Sequence, residues 1–304
     1  MYQWIGRLTE DKKRQSVVMV ILALMPERVI ILIGWLSGYL LAIIAKPLRV
    51  AVLFNMAEVL DKTPKEIIKC CRAYLCHFPI ILLEILMAPQ RLTKEKVRQW
   101  TVEGEEHLQK ALDLGRGAII YAPHMGNFFY YYWYLFQRYP CLTVATGGSS
   151  ELRPLYLLFQ GMGCQGMDYD NTPPQKLLRT LSYHLRSNGV VFLLGDFWRP
   201  NFPLANFFGK ASRSPGGAAS LALKQQVPVV LLYGWREKGL NHHIVMEAPI
   251  HLYEEFEANQ RQEAIDRLNY FMEQSIRKVP EQWFYWFNLH ERWEEGVAVK
   301  GTHL

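Results

Sequence analysis

Cysteine is scarce in this chain and does not cluster in a metal-binding pattern. Cys70, Cys71, Cys76, Cys141 and Cys164 are spread over 304 residues. An odd number without ligand spacing predicts neither a disulfide framework nor a metal site. The adjacent Cys70 and Cys71 point in different directions on a helix and read as packed, reduced thiols of a cytosolic compartment. No block of Lys and Arg forms a nucleic-acid arm and no nucleic-acid motif appears, so nucleic acid is not an expected partner. No A-x-A-like site follows the first apolar stretch, which excludes a cleavable signal peptide as its reading. The glycines of Gly161-Met-Gly-Cys-Gln-Gly follow no strand, so they do not form a nucleotide loop, and no cofactor is predicted. Repeats and low-complexity tracts are also missing.

What is present is apolar, aromatic and mildly basic. Half the residues are hydrophobic, enough for a large core, and the 20% that are charged are well mixed, against disorder. Aromatic residues make up 13%, with 9 Trp and 16 Tyr, side chains that favour the boundary between water and lipid. An aromatic core would need the same composition. The net charge of +6 favours anionic partners such as membrane headgroups or an acidic carrier protein.

Behind a polar start carrying Lys12, Lys13 and Arg14, apolar runs cover 17–25 and 29–45, separated by Pro26, Glu27 and Arg28. The second run is about 25 Å long as a helix, barely the hydrocarbon thickness. It predicts one short transmembrane helix or a hairpin lying shallowly in one leaflet, with a buried helix as the plainer alternative. Cations flank both sides, so the charge bias sets no orientation. Residues 1–49 are read as a membrane anchor and 50–304 as a single α/β domain. Thr63-Pro64 opens a helix over 63–91, and another is expected over 93–114, stopped by Gly115. Short buried strands are expected at 118–122, 190–194, 227–233 and around 244–246. Helices are expected at 125–138, 152–162, 173–188, 215–226 and 254–278. Alternating helices and continuous apolar strands predict an α/β fold, a largely parallel central sheet flanked by helices.

Three segments carry chemistry. In Ala122-Pro-His-Met-Gly-Asn-Phe-Phe129, His124 directly follows a strand, at the sheet edge where such folds place their sites. Gly126 permits close approach of a substrate, and Asn127 can donate a hydrogen bond or cap the next helix. In Leu194-Gly-Asp-Phe-Trp-Arg-Pro200, Asp196 also sits at a strand end. It could face the site, cap a helix or pair with Arg199. The Phe208-Gly209 turn follows, then Ser212-Arg-Ser-Pro-Gly-Gly-Ala218, where Ser214 precedes a helix start able to hold an anion or a developing oxyanion. The third segment is Trp283-Phe-Tyr-Trp-Phe-Asn-Leu-His290-Glu-Arg-Trp293.

Taken together and in this order, these segments resemble the lipid A late acyltransferases of the lysophospholipid acyltransferase superfamily. Those enzymes carry His-x-Gly-Asn-x-Asp/Glu, matched here at His124, Gly126 and Asn127, and end in a Trp-rich His-x-Arg-Trp segment that contains Arg292. The resemblance spans about 25–295. It implies an acyltransferase at the cytoplasmic face of a bacterial inner membrane. The donor it implies is acyl carrier protein or acyl-coenzyme A, and the acceptor a lipid or glycolipid. His124 would serve as general base. Gly126, Asn127, Phe208, Gly209, Ser214 and Arg292 would contact substrate, with Arg153 the candidate basic contact to the acceptor.

One position departs from the pattern. Where the family carries the carboxylate that orients the imidazole, this chain has Phe129, which cannot do so electrostatically. Asp196 could take over the role, His124 could act alone on an easier acceptor, or the chain could be an impaired relative that binds acyl chains or acyl carrier protein. A membrane scaffold without an acyl site is the broadest alternative. Helical spacing also groups Phe129, Tyr132, Trp133 and Phe136 on one side, as the wall of an acyl groove or as ordinary core.

Overall fold

The computed structural model describes residues 20–22, 24–146, 153–294 and 296. The basic start and most of the first apolar run lie outside that range. In chain order the helices are α1 (Glu27–Ile44), α2 (Lys46–Val59), α3 (Pro64–Arg91), α4 (Lys94–Val97), α5 (Glu105–Leu112), α6 (Phe128–Phe136), α7 (Arg153–Gly161), α8 (Pro174–Arg186), α9 (Gly217–Gln225), α10 (Leu252–Glu255) and α11 (Arg261–Lys278). The strands are β1 (Thr101–Glu103), β2 (Ala118–Ala122), β3 (Cys141–Ala145), β4 (Gly166–Asp168), β5 (Val190–Leu194), β6 (Leu204–Phe207), β7 (Lys210–Arg213), β8 (Val229–Arg236) and β9 (His242–Met246).

Seven strands form one sheet in the order β1-β9-β8-β2-β5-β3-β4. From β8 to β4 they run parallel. β9 is antiparallel to β8, and β1 follows the direction of β9. The central strands are apolar at every position because both faces are covered. Ile119, Tyr121, Val191 and Leu231 enter one core with α2, α9 and α11. Ala118, Ile120, Ala122, Phe192 and Val230 enter the other with α5 and α6. The α/β fold with a mostly parallel sheet is therefore the one the sequence predicts.

The expected helix over 93–114 is broken. Thr101–Glu103 adds a strand to the sheet edge beside β9, and Gly104, with φ of 75°, turns the chain into α5. Strands β3 and β4 and the β6–β7 hairpin were not expected either. The last helix is shorter than 254–278, because α10 and a loop precede α11.

Helix α3 begins with a capping box between Thr63 and Glu66, and Pro64 sits in its first turn. Its first half packs in one core and its second half in the other. Both α1 and α3 are long and apolar enough to cross a membrane. Helix α1 lies along α3 at close range, which glycine alone permits. A Cβ on Gly38 would meet Cys76 Cα and come 2.5 Å from the Leu75 carbonyl oxygen, and one on Gly34 would meet Ile80. Leu32, Trp35, Leu36, Tyr39, Leu40 and Ile43 point outward and are exposed. The start of α1 is tied to the α/β body. Glu27 accepts from the Leu240 amide at 2.6 Å and pairs with Lys96 at 3.4 Å, and Arg91 donates to the Leu22 and Met25 carbonyls.

Candidate active site

Strands β2 and β5 pair in parallel, with Ala122 opposite Leu194. His124 and Asp196 each lie two residues beyond those partners, so the register brings them face to face at the carboxyl edge of the sheet. The His124 Nδ1–H donates to Asp196 Oδ1 at 2.6 Å, and the His124 amide donates to Oδ2 at 2.9 Å. Trp283 Nε1 donates to the same Oδ2 at 2.6 Å. The Asp196 side chain is fully buried, whereas His124 keeps 11% exposure, so the imidazole is what meets the exterior. Burial pushes the Asp196 carboxyl upward, but the His124 charge and the hydrogen bonds from His124 and Trp283 outweigh it and hold the group below the ordinary aspartate range.

With Nδ1 bound to the carboxylate, Nε2 is left as the proton acceptor. His124 borders a cavity of about 840 Å³ whose walls include Ile81, Phe128, Phe129, Tyr132, Phe192 and Leu221. The volume lies at the large end for ligand pockets and the walls are mostly apolar. Phe129 stacks between Phe128 at 4.5 Å and Phe159 at 5.0 Å, forming wall where the family pattern has a carboxylate. Phe129 and Tyr132 of the expected aromatic stripe line the cavity; Trp133 and Phe136 are not among its lining residues.

The C-terminal aromatic segment closes over the imidazole. The Phe284 amide donates to the His124 carbonyl at 2.8 Å, and the Gly126 amide donates to the Gln282 carbonyl at 2.9 Å. Tyr285 Oη stands 3.5 Å from His124 Nε2. Arg292 lies behind Tyr285, its guanidinium 3.7 Å from the ring centre and its Nη1 donating to the Asp196 carbonyl at 2.8 Å.

The other described candidates lie away from the imidazole. Gly126 has φ of 54°, and a Cβ there would meet Tyr131 Oη and come 2.6 Å from the Gly234 carbonyl oxygen, so its need for glycine comes from packing against β8. Asn127 caps α6 by accepting from the Tyr130 amide and donates at 3.2 Å to the buried Glu84. Phe208 and Gly209, both with positive φ, form the β6–β7 turn, and Phe208 packs on Trp283 at 5.8 Å. The Ser214 hydroxyl accepts from Asn269 at 2.9 Å. None of those three lines the cavity, whereas Gly216, Gly217 and Ala218 at the start of α9 do. Arg199 pairs with Asp170 at 2.7 Å, which leaves Asp196 to His124. Arg153 opens α7; its side chain lies outside the described residues.

Sequence reasoning missed Trp283 as a partner of Asp196, and Tyr285, because nothing in a run of five aromatics marks which ring meets the imidazole. It also missed Glu84. That carboxylate takes two bonds from Arg236 at 2.9 Å and one from His242 at 3.1 Å. Burial raises its pKa, but Arg236 and His242 pull it below the ordinary range. Arg236 also donates to His77 Nδ1 at 2.8 Å; burial and the neighbouring cation lower His77 to about 3, so it stays a neutral acceptor. A lone Glu inside the apolar stretch 80–88 was the available signal, since a buried charge needs a partner.

The sequence profile of the bacterial lipid A biosynthesis acyltransferases matches residues 15–295. The chain belongs to that family. It is 30% identical over 195 residues to a phosphatidylinositol mannoside acyltransferase of Mycolicibacterium smegmatis, covering 60% of this chain and 62% of that protein. A phosphatidylinositol mannoside acyltransferase of Mycobacterium tuberculosis is 29% identical over 198 residues, 60% of each chain. The matched region spans about three fifths of the length of these curated relatives. Of the His-x-Gly-Asn-x-Asp/Glu pattern that the sequence resembles, this chain has His124, Gly126 and Asn127, with Phe129 at the carboxylate position.

Proposed function

We propose that the protein transfers a fatty acyl group from an acyl thioester to a hydroxyl of a lipid or glycolipid at a membrane surface, with His124 as general base and Asp196 as the carboxylate that orients it. The observation carrying this reading is the 2.6 Å contact between His124 Nδ1 and a fully buried Asp196, with His124 lining a large apolar cavity. Family membership and the names of the mycobacterial relatives support the reaction class and a glycolipid acceptor.

In the reaction, Nε2 takes the proton of the acceptor hydroxyl as its oxygen attacks the thioester carbonyl carbon. The carbonyl π pair moves to oxygen, and collapse of that oxyanion re-forms C=O and breaks the C–S bond. The leaving thiolate takes the proton back from the imidazolium. Asp196 stabilises the imidazolium and fixes the tautomer from across the strand pair, which is the role of the missing motif carboxylate. The acyl chain occupies the apolar cavity, where each buried methylene contributes roughly 0.8 kcal/mol. The donor carrier is acyl carrier protein or coenzyme A.

The outward face of α1, within the 1–49 anchor, contacts the lipid at the cytoplasmic face of a bacterial inner membrane, with the remainder as the acyltransferase domain. The exposed Leu, Ile, Trp and Tyr side chains support this, since so extended an apolar face is unusual on a soluble protein.

The test is incubation of the detergent-purified chain with labelled palmitoyl-coenzyme A or palmitoyl acyl carrier protein and total bacterial lipid. Label should move to a lipid band with wild type and stay on the donor with His124→Ala. Transfer at the wild-type rate by His124→Ala refutes the mechanism. Binding of acyl carrier protein by a wild type that transfers nothing would favour the alternative of an acyl-chain or carrier-binding module.

A further inference from the structure

Two features beside the dyad are not used by the general-base step. One is Tyr285, which lines the cavity and whose hydroxyl stands 3.5 Å from His124 Nε2. The other is Arg292, a cation that is only 7% exposed. Among the described residues Arg292 has no carboxylate within ion-pair distance, and its Nε is buried without a hydrogen-bond partner. Its guanidinium instead lies 3.7 Å from the centre of the Tyr285 ring. A buried cation with an unbonded N–H gains when further negative charge arrives nearby.

Such charge arises once per turnover in the proposed reaction. The attacking oxygen must lie within hydrogen-bond reach of Nε2, which brings the thioester carbonyl into the neighbourhood of whatever else touches Nε2. That neighbour is Tyr285 Oη. We propose that Tyr285 is a further catalytic residue, whose O–H donates to the thioester oxygen as it becomes an oxyanion, and that Arg292 is a positioning residue that holds the ring and biases its hydroxyl toward donation. The proposal rests on the acyl-transfer reading of the His124–Asp196 pair. The phenol keeps its proton throughout. The proton removed from the acceptor goes to Nε2 and then to the leaving thiolate, and Tyr285 contributes only a hydrogen bond that strengthens as charge develops. Burial drives the phenol's pKa upward and Arg292 opposes it only in part, which keeps the O–H intact at neutral pH.

The two rings meet edge-on, with centres 4.8 Å apart at 68°. The start of α9 offers a competing set of donors, since Gly217 and Ala218 border the same cavity and α9 has no side-chain cap.

Tyr285→Phe separates the two. It removes one oxygen, retains the ring against Arg292 and His124, and should leave the melting temperature near that of wild type. With palmitoyl-coenzyme A as donor, release of free thiol in the presence of bacterial lipid should show kcat lowered roughly 10²–10³-fold while KM changes little. A trifluoromethyl ketone analogue of palmitoyl-coenzyme A, which adopts the tetrahedral geometry as its hydrate, should lose affinity by a comparable factor. The non-reacting thioether analogue should bind Tyr285→Phe and wild type alike. Arg292→Lys should fall between Tyr285→Phe and wild type in kcat. A wild-type kcat in Tyr285→Phe beside an inactive His124→Ala would overturn the assignment and leave the oxyanion to the α9 amides. Equal weakening of both analogues would also overturn it, reducing Tyr285 to a wall of the binding site. Activity in His124→Ala would instead remove the acyl-transfer mechanism on which the assignment depends.

Discussion

Replacing Asp196 by Asn separates orientation from packing, because the amide fits the same space and fails in one respect. Oδ2 accepts from Trp283 Nε1 and from the His124 amide, while Oδ1 accepts from His124 Nδ1. An Asn keeps the first two bonds only by putting its carbonyl oxygen at the Oδ2 position. Its NH2 group then faces Nδ1, which must give up its proton and become an acceptor. The proton moves to Nε2, the nitrogen that has to be free, so the imidazole is held in the wrong tautomer for a base. The kcat should fall by about 10⁴-fold, the scale on which such tautomer errors act. Stability should suffer far less. All three charge-assisted bonds become neutral ones, a difference of about 1 kcal/mol each that the cheaper burial of a neutral amide partly offsets, and a chain of this size loses roughly 2–4 °C for each kcal/mol.

The same substitution has a signature in acid. The Asp196 carboxyl is held below its ordinary range, so the folded state binds that proton less readily than the unfolded chain does. The resulting stability is present above an unfolded aspartate value near ~3.9 and is lost as pH falls through the lower folded value. Asp196→Asn should therefore flatten part of the acid-side loss of melting temperature. Thiol release from palmitoyl-coenzyme A in the presence of lipid reads the rate, and calorimetry reads the stability. A variant within tenfold of wild type in kcat, at unchanged melting temperature, would refute the assignment of Asp196 as the orienting carboxylate.

Other substitutions test neighbouring parts of the argument. Phe129→Glu, which restores the family motif, should not raise the rate and should lower the melting temperature, because Asp196 already holds Nδ1 and the new carboxylate would sit among Phe128 and Phe159. Glu84→Gln should cost about 3–5 kcal/mol in denaturant titration, by leaving Arg236 buried beside an uncharged amide. Gly38→Ala should lift α1 from α3, read as faster tryptic cleavage at Arg49, since the methyl would press on the α3 backbone. Burial raises Glu273 to about 7, so the unfolded chain releases this proton before the folded one, and stability falls as pH rises from the ordinary glutamate range to that value. The melting temperature of Glu273→Gln relative to wild type should therefore climb between pH 5 and pH 8.

The parts of the fold that were legible in the sequence are those where local pattern and tertiary environment agree. Ala118–Ala122 and Val190–Leu194 are apolar at every position because helices cover both faces of the central strands, and both read directly as strands. Thr101–Glu103 did not. It is three residues at the sheet edge inside a charged stretch, and only its pairing with β9 makes it a strand. Cys141–Ala145 is buried at its first two positions and half-exposed beyond, so it lacks the apolar run of the inner strands. Both members of the dyad were named from their strand-end positions. Their contact was not readable, because it depends on β2 pairing with β5 in one register across 72 positions of chain. Local sequence allowed Asp196 to pair with Arg199 as readily, and only the fold sends Arg199 to Asp170.

That register also explains how the motif can lose its carboxylate without losing the geometry. A carboxylate five residues after the histidine has to reach back to the imidazole across the first turn of α6, and its direction depends on how that helix starts. One at the end of the adjacent parallel strand is placed by the hydrogen-bond ladder of the sheet, which is more rigid. Here the ladder is reinforced from outside. Trp283 and the His124 amide fix one carboxylate oxygen, and Arg292 holds the Asp196 carbonyl. The start of α6 is fixed separately, through Asn127, by a Glu84 that is itself clamped by Arg236 and His242. His124 therefore stands between two supports that meet in the C-terminal segment, because Gln282 bonds the Arg236 backbone at one end and Trp283 bonds Asp196 at the other. With the imidazole oriented from the strand side, position 129 is free to be apolar, and the phenylalanine there is part of the cavity wall that His124 also lines.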